Sequence, residues 1–422
     1  MKKVVLVGGA RIPFCRANSN YANNNNQELM TAAAKALVTK FNLNGKVLGD
    51  IALGGVMNHS ADWNLAREVA LGIGLANETP GVGVQRACGT GLEAAIQIGN
   101  KIALGQIEVG IAGGFDMMSD VPIAYSAKLS KTLVTSAKGR TFVDKIKPWF
   151  SLRAADLKPR FPAVTEPRTG LSMGEHCELM AQEWKLTQKE QDELALTSHK
   201  NAAKAWAEGF YDDLVFPFSG ATKDNNVRGD TTLEKLAKLK PAFDRSGKGT
   251  LTAGNSTPLT DGASAVLLCS EDYARRHNLP IQAYFVDCEV SAVDFTVKKE
   301  GLLMAPAYAV PKMLMRKGIK LQDFDFYEIH EAFAAQVLCT LKAWESEDFC
   351  RNRLGLPGKL GSIDRAKMNV VGGSVALGHP FGATGGRIIA NLGKLLEKKG
   401  SGRGLISICT GGGMGVTAIL ER

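Results

Sequence analysis

Two cysteines stand at turns where a thiol could do chemistry. Cys88 lies in ACGTG, directly before a stretch with helical character, and Cys409 ends a strand-like run and opens CTGGGMG. The partial positive charge of a helix N-terminus stabilises a thiolate, so we expect a lowered pKa for Cys88. Backbone N–H groups of the glycine run after Cys409 could form an oxyanion hole. The alternative for each is an inert, buried thiol, the commoner state of a single cysteine.

Two histidines could supply acid or base groups. His379 lies in GGSVALGHPFGATGG, where the glycines allow close backbone approach, and could serve as a base directed at a nucleophile. The alternative is a phosphate loop with an incidental histidine, although the stretch forms no GxGxxG. His330 and Glu331 follow a strand-like run in YEIHEAFAAQ. A zinc HExxH motif would need a second histidine where Ala334 stands, so a metal is disfavoured.

A third match is interpreted as chance. The segment GLSMG, residues 170–174, has the spacing of the GxSxG elbow of serine hydrolases. That elbow requires a preceding strand, and TEPRT does not have the composition of one.

Cys88 and His379 occupy equivalent turns in two segments with one plan. Each segment has an apolar strand, a turn, a helix and a second strand that ends in glycines. The first predicts strands at 82–85 and 109–112 around a helix at 91–104, and the second predicts strands at 368–371 and 405–409 around a helix at 384–398. The pattern indicates a duplicated α/β protein in which helices cover each sheet.

A different region separates the two segments. Residues 121–170, called the basic segment below, contain ten Lys/Arg and three Asp/Glu, which gives +7 of the net charge of +9. Its prolines argue against a regular core element. A solvated loop is the ordinary interpretation. The functional alternatives are a phosphate-bearing ligand, an acidic membrane surface or a protein partner. Nucleic acid is disfavoured because no recognised binding motif accompanies the charge.

Composition sets the class of protein. A chain of 422 residues with 45% hydrophobic and 22% charged residues has the profile of a globular protein of two to three domains. Eight widely spaced cysteines predict free thiols in a reducing compartment rather than a disulfide scaffold. MKKVVLVGGAR predicts a first strand at 3–7 and not a signal peptide. Together these features favour a cytoplasmic protein.

The motifs together resemble those of the thiolases over essentially the whole chain. ACGTG resembles the nucleophile motif, GHPFGATG the histidine signature and CTGGGMG the C-terminal cysteine signature. TAGNSTPLTDGASAV resembles the loop near coenzyme A. HEAF replaces the usual Asn-Glu-Ala-Phe and is similar to the β-subunit type of the trifunctional protein. Thr90 stands where many members have serine, a difference expected to alter packing more than chemistry.

The resemblance implies a thiolase fold. Two βαβαβαββ halves would form a five-layered αβαβα core, with a loop domain inserted in the first half. The division implied is an N-terminal half at 1–120 completed by 251–272, an inserted loop domain at 121–250 and a C-terminal half at 273–422.

The resemblance also implies roles for the candidate residues. Cys88 would attack the 3-keto carbon of a 3-ketoacyl-CoA and become acylated, and His379 would take its proton. Cys409 would protonate the departing acetyl-CoA carbanion and then deprotonate the incoming CoA. His330 would hold a donor or water for the thioester enolate. Gly411 N–H would complete an oxyanion hole with that of Cys88.

Support and substrate contacts are implied in the same way. Glu331 would orient its neighbours, while Met173, Arg228 and Thr257 align with positions near CoA in relatives. Thr257 replaces a serine that is often found there. CoA and acyl-CoA are substrates, and no metal or redox cofactor is expected. The basic segment would meet the CoA phosphates, a membrane surface or an α-subunit of β-oxidation.

The implied function is thiolytic cleavage of 3-ketoacyl-CoA in fatty-acid β-oxidation, by a homodimer or homotetramer. The alternative is an acetoacetyl-CoA thiolase that runs in the condensation direction with the same residues. A β-ketoacyl synthase relative would use a Cys-His-His triad, and Cys409 in its signature argues for a thiolase. A scaffold role without catalysis is disfavoured while all four chemical residues are present.

Overall fold

The computed structural model describes residues 1–162 and 165–422, and its strands follow the apolar runs of the sequence. β5 and β6 are buried at every position because helices cover both faces of the sheet there. In the described residues the strands are β1 (Val4–Arg11), β2 (Cys15–Arg16), β3 (Asp50–Gly54), β4 (Gly81–Gly83), β5 (Val109–Asp116), β6 (Thr260–Ser270), β7 (Ala283–Ala292), β8 (Phe326–Ile329), β9 (Arg403–Thr410) and β10 (Met414–Glu421).

Helices fill most of the connections between strands. Capping boxes start several of them, including the one that Thr187 and Glu190 form at the start of α7. The described α-helices are α1 (Asn26–Lys40), α2 (Leu65–Gly72), α3 (Thr90–Ala103), α4 (Ala127–Lys138), α5 (Phe142–Ile146), α6 (Met173–Glu183), α7 (Gln188–Ala207), α8 (Leu233–Ala237), α9 (Glu271–Arg276), α10 (Ala305–Lys317), α11 (Ala334–Glu345), α12 (Ser374–Leu377) and α13 (Ala383–Lys399).

The sheet has mirrored halves. Its order is β4-β3-β5-β6-β1-β7-β10-β9-β8, with β2 beside β6. β3 pairs parallel with β4 and β5 in the first half, and β8 pairs parallel with β9 in the second. The halves join where β1 and β7 run antiparallel over Val4, Val5 and Leu6. The duplicated plan predicted from the sequence is therefore present as two related halves of one continuous sheet.

Helices form the other three layers. α1 and α2 cover the outer face of the first half, and α10 and α11 that of the second, while α3 and α13 lie between the two halves of the sheet. The two central helices approach closely at glycines. A Cβ on Gly91 would lie 2.7 Å from Gly382 O, and one on Gly385 would lie 2.2 Å from Leu92 N. This contact brings the starts of α3 and α13 together.

The segment between β5 and β6 carries two kinds of structure. α4, α5 and two short 3-10 turns form its basic, exposed beginning, while α6 and α7 pack against α11. A buried ion pair ties it to the first half, since Arg11 Nη2 donates to Asp224 Oδ2 at 2.7 Å. Residues 163 and 164 of the basic segment lie outside the described residues. The implied domain division stays a prediction.

Two sequence predictions need correction. The strand expected at 368–371 is wrong, because Met368 forms only a single bridge to Tyr327. Asn369 at φ 47° and Gly372 at φ 91° turn the chain away from the sheet edge after that bridge. The first strand begins near the expected position but continues to Arg11. None of the helices in the described ranges has the length and apolar character needed to cross a membrane.

Candidate active site

Cys88 lies in a turn that a neighbouring threonine closes. The turn connects β4 to α3, and Ala87 takes φ 43°, an unusual conformation for a residue with a Cβ. Thr90 Oγ1 accepts from Arg86 N at 2.9 Å and donates to Ala87 O at 2.7 Å. The threonine that differs from the usual serine thus retains a hydroxyl that fixes the turn.

The thiol of Cys88 is protonated in this resting structure. Cys88 is partly exposed as a residue, yet burial of its thiol raises its pKa to about 12. The backbone N–H groups of Gly411 and of Cys88 itself favour the thiolate and oppose the rise. The lowered pKa expected from the helix N-terminus is therefore wrong, because desolvation outweighs those donors. A protonated thiol needs a base before it can act as a nucleophile.

His379 is buried beside Cys88. It is 3% exposed and follows Gly378, whose φ of 99° and contact with Thr260 leave no room for a side chain. Its Nδ1 lies 2.6 Å from Thr384 Oγ1, and its buried Nε2 has no partner among the described residues. Burial, assisted by the positive charge of Arg387, lowers the pKa of His379 to about 3. The imidazole is therefore neutral at physiological pH.

His330 faces the same space from the second half. It follows β8, is 1% exposed, and places Nδ1 2.8 Å from Ser374 Oγ. Its Nε2 is buried without a partner among the described residues. The rings of His330 and His379 have centroids 4.2 Å apart. Burial, and then the neighbouring His379 and Arg387, hold the pKa of His330 well below its usual range.

The three groups form one cluster. The sulfur of Cys88 and one nitrogen each of His330 and His379 all lie within 4.8 Å of one another. Such donors are of types that bind soft and borderline metals. The sequence disfavours a metal, and the expectation that none is bound stays a prediction. The arrangement otherwise provides a nucleophile with two imidazoles beside it.

Cys409 lies at the end of β9, beside the glycine loop. It is 1% exposed, and burial, followed by the neighbouring Cys88, raises its pKa well above the usual value. Gly412 and Gly413 follow at φ 77° and 71°, a conformation that favours glycine. Gly412 N donates to Glu166 Oε2 at 3.1 Å, which anchors the loop to the inserted region. Cys409 is thus a buried, protonated thiol near Cys88.

Glu331 fastens the second half to the inserted region. Its carboxylate accepts from Ser198 Oγ at 2.7 Å, Asn369 Nδ2 at 2.5 Å and Val375 N at 3.2 Å. Burial raises its pKa. A Cβ on Gly373 would lie 2.1 Å from this carboxyl group, so glycine is required there. Glu331 does not join the Cys88 cluster but holds the backbone around it.

The candidate CoA contacts are divided between two places. Arg228 lines a cleft of about 390 Å³ that runs from Arg16 and Lys235 to Val375. Thr257 donates through Oγ1 to the carbonyl of Ser374 at 2.9 Å. The sulfur of Met173 lies 3.5 Å from where a Cβ of Gly411 would stand. Thr257 and Met173 thus lie next to residues around the cluster, whereas Arg228 lies in the cleft.

Sequence reasoning missed several buried polar residues. Ser374, Thr384 and Arg387 bond to the two histidines or to each other. Asp116 accepts from Met57 N and from Gly382 N, each at 2.7 Å, and so joins the first half to the start of α13. The signal in the sequence that could have identified them is the presence of polar residues within runs of small residues. Ser172, the centre of the GxSxG match, caps α6 instead.

Comparison with known proteins agrees with this geometry. Residues 4–272 match the family model for the thiolase N-terminal domain, and residues 279–422 match that for the C-terminal domain. A 3-ketoacyl-CoA thiolase of Pectobacterium carotovorum is 43% identical, with 99% of this chain and 96% of that protein covered.

Solved structures agree as well. Bacillus anthracis acetyl-CoA acetyltransferase superposes with a TM-score of 0.81 at 31% identity, covering 100% of this chain and 99% of that one. Human mitochondrial 3-ketoacyl-CoA thiolase in complex with CoA gives 0.82 at 28% identity, covering 100% and 98%. The predicted thiolase fold is confirmed. Because both halves match the two thiolase domains in order and relatives of this identity cover the chain, it belongs to the thiolase family.

Proposed function

We propose that this chain cleaves 3-ketoacyl-CoA with CoA, giving acetyl-CoA and a shortened acyl-CoA, through an acyl-enzyme on Cys88. The observation that carries the proposal is the cluster of one thiol and two imidazoles within 4.8 Å. The names of the similar bacterial proteins support the same reaction. Neutral histidines and protonated thiols at the outset suit a cycle that begins with proton transfer.

The first half-reaction acylates Cys88. His379 takes the thiol proton through Nε2, and the thiolate attacks the 3-keto carbon to give a tetrahedral alkoxide. Collapse of that alkoxide breaks the bond between C2 and C3. The electron pair passes to the thioester enolate of acetyl-CoA, and Cys409 supplies the proton to its carbon. The raised pKa of Cys409 is appropriate because only a protonated thiol can act as this acid.

The second half-reaction returns the acyl group to CoA. Cys409, now a thiolate, takes the proton of the incoming CoA thiol. The CoA sulfur attacks the acyl carbon, and Cys88 leaves as a thiolate that recovers its proton from His379. A thiol serves both as nucleophile and as leaving group, so the cycle is reversible. Neither half-reaction uses a metal or a redox cofactor.

Oxygen atoms become negative in both steps and need donors. The backbone N–H groups of Cys88 and Gly411 stabilise negative charge on the sulfur and would donate to the oxyanion formed at the attacked carbon. His330 faces the same space through Nε2 and serves the thioester oxygen. Glu331 takes no part in bond making and supports the backbone of these groups.

CoA would enter by the cleft that Arg228 lines. Arg16, Arg228 and Lys235 offer positive charge for its phosphates, while Asp230 is the acidic side chain among the lining residues. Thr257, bonded to Ser374, and Met173, beside Gly411, would contact the pantetheine arm. The thiol end would then meet Cys409 and Cys88.

Mass spectrometry tests the acyl-enzyme directly. Brief incubation with a 3-ketoacyl-CoA should add one acyl group to the peptide that contains Cys88. Cys409→Ala should still become acylated but turn over poorly, because the enolate and CoA proton transfers are lost. An acyl group found on another residue would overturn the proposal.

Chain length separates the two thiolase activities. Thiolysis of 3-ketoacyl-CoA substrates of increasing length should be retained beyond acetoacetyl-CoA. Activity confined to acetoacetyl-CoA would favour the biosynthetic alternative. The similar structure from Bacillus anthracis carries the name acetyl-CoA acetyltransferase. The catalytic residues are expected to be the same in either case.

Partners and location complete the proposal. We propose a homodimer or homotetramer, to be measured by analytical ultracentrifugation. The basic segment exposes charge and aromatic rings and suits an acidic partner, an anionic membrane or CoA phosphates. All eight cysteines are free, which a reducing compartment such as the cytoplasm permits.

A further inference from the structure

A serine hydroxyl lies between His330 and a buried arginine. Ser374 Oγ is 2.8 Å from His330 Nδ1 and 2.8 Å from Arg387 Nη2. All three residues are buried, with relative exposures of 0% for Ser374 and 1% for His330 and Arg387. Nothing in the reaction described above uses Ser374 or Arg387.

The hydrogens that each of these groups can donate, and the lone pairs that can accept them, decide where the hydrogens lie. A guanidinium only donates, so Arg387 occupies a lone pair of Ser374 Oγ. The serine hydroxyl then has one hydrogen left to give. Among the described residues, the only acceptor reported for it is His330 Nδ1. If Nδ1 carried a hydrogen instead, Oγ would accept twice and its own hydrogen would be buried without a partner, which is costly.

We propose that Ser374 and Arg387 are positioning residues that hold neutral His330 with its hydrogen on Nε2. His330 then enters the reaction as a hydrogen-bond donor and His379 as the base. The inference rests on the proposed function and specifies how its site divides acid and base roles. The depressed pKa of His330, caused mainly by burial and assisted by the charges of His379 and Arg387, agrees because it leaves a single ring hydrogen.

The hydrogen-bond partner of His379 differs from that of His330. Its Nδ1 is 2.6 Å from Thr384 Oγ1, and among the described residues no cation bonds to that hydroxyl. No arginine therefore fixes the direction of this contact, as Arg387 does for Ser374. The base role proposed for His379 requires its hydrogen on Nδ1, donated to Thr384 Oγ1, with the Nε2 lone pair toward Cys88.

This assignment has a chemical consequence. A donor aimed at a developing oxyanion stabilises it strongly in a water-excluded site. A His330 with its hydrogen on Nδ1 would instead present a lone pair to that oxyanion and repel it. The hydroxyl of Ser374 therefore matters through the tautomer that it selects.

Nitrogen NMR reads the tautomer. The full chain labelled with ¹⁵N-histidine contains six histidines, and His330→Asn and His379→Asn assign the two signals of interest. The expected wild-type spectrum has the hydrogen of His330 on Nε2 and that of His379 on Nδ1. A hydrogen on His330 Nδ1 would overturn the proposal, whether or not the protein is active.

Variants test whether Ser374 and Arg387 set the tautomer of His330. Ser374→Ala should populate both His330 tautomers and lower kcat by about 10- to 100-fold, with little change in KM. Ser374→Thr keeps the hydroxyl and should restore both the tautomer and most of the rate. Arg387→Gln should also mix the tautomers, because an amide can accept from Ser374 as well as donate to it.

A matched control removes a distant serine hydroxyl. Ser270 is 0% exposed and its Oγ accepts from Tyr273 N at 3.2 Å, at the far end of the 11-residue β6. Ser270→Ala should lower stability without changing kcat or the spectrum. Wild-type kcat in folded Ser374→Ala would overturn the proposal, and if that variant does not fold, the wild-type spectrum and Ser374→Thr decide. Absence of thiolysis in the wild type would reject the proposed function while leaving the tautomer readable.

Discussion

The catalytic cluster and the basic segment are built by opposite means. In the cluster, hydrogen bonds join residues distant in the chain, as His330 and its partner Ser374 are 44 positions apart. In the basic segment they are mostly local, as between Thr141 and Asp144. Side chains of the cluster are nearly all enclosed, whereas Phe150 of the basic segment is 85% exposed.

The difference teaches where function is concentrated. In an enclosed site each donor or acceptor has one partner, so the loss of a single atom is not compensated by water. On an exposed surface, screened charges contribute small amounts that add up. Single substitutions should therefore have large effects in the cluster and almost none in the basic segment.

The largest effect should follow from removal of the nucleophile. Cys88→Ala should lower kcat by about 10⁴-fold or more, because no covalent intermediate can form. Steady-state thiolysis with 3-ketoacyl-CoA measures the loss. Cys288→Ala is the matched control, since Cys288 is also free and partly exposed, and should keep the wild-type rate. Acyl transfer retained by Cys88→Ala would contradict the expectation that single substitutions in the cluster have large effects.

Packing around the cluster should be the next most sensitive feature. Gly91→Ala places a Cβ 2.7 Å from Gly382 O, and we expect a loss of about 1–3 kcal/mol in the free energy of unfolding. Chemical denaturation measures it.

Gly99→Ala lies on the same helix and is the matched control. Its Cβ would meet Val4 Cγ1 at 3.6 Å, an ordinary contact. The higher helix propensity of alanine should then stabilise the protein by about 0.5–1 kcal/mol. Equal effects of the two substitutions would mean that the approach of α3 to α13 is not tight.

These two glycines separate what the sequence can predict from what only the folded structure shows. The strand–turn–helix plan, the duplication and the positions of Cys88, His379 and Cys409 follow from short-range patterns and recognised motifs. Gly91 and Gly99 are indistinguishable by pattern, because only the packing of a helix from the other half separates them. The same reason hides Ser374 and Arg387, whose partner His330 is 44 positions from Ser374.

Two of the sequence errors have physical causes of the same kind. The helix N-terminus, a local effect, predicts a lowered pKa for Cys88, whereas burial of the thiol raises it. The strand at 368–371 was judged from apolar residues, whereas the positive φ angles of Asn369 and Gly372 end the pairing. In both, tertiary surroundings outweigh the local preference.

Lowering the pH should destabilise the folded protein through the buried His379 of the cluster. The pKa of His379 is lowered from 6.5 to about 3 by burial and then by Arg387, so its stability contribution is present above pH 6.5 and is lost as pH falls toward 3. Between about pH 4 and 6, unfolding should take up about one proton more in the wild type than in His379→Asn. Denaturation at several pH values measures the slopes. Equal slopes would mean that His379 is charged in the folded protein.

The smallest effect is expected in the basic segment. One variant neutralises four of its exposed lysines, and a second variant neutralises four exposed lysines elsewhere with the same change of net charge. The first variant is Lys131→Gln, Lys138→Gln, Lys145→Gln and Lys147→Gln, and the second is Lys35→Gln, Lys185→Gln, Lys317→Gln and Lys359→Gln. Each single substitution should change nothing measurable, because exposed charges are screened.

The combined variants locate the role of the basic segment. If it attracts CoA, the first variant should raise the KM for CoA a few-fold at low salt, with kcat unchanged, and the difference should vanish at high salt. If it docks on an anionic membrane, the first variant should instead lose sedimentation with phosphatidylserine vesicles while KM stays constant. In both cases the second variant should behave as the wild type. Identical behaviour of the two variants would show that only net charge matters, and the basic segment would then be a solvated surface without a partner.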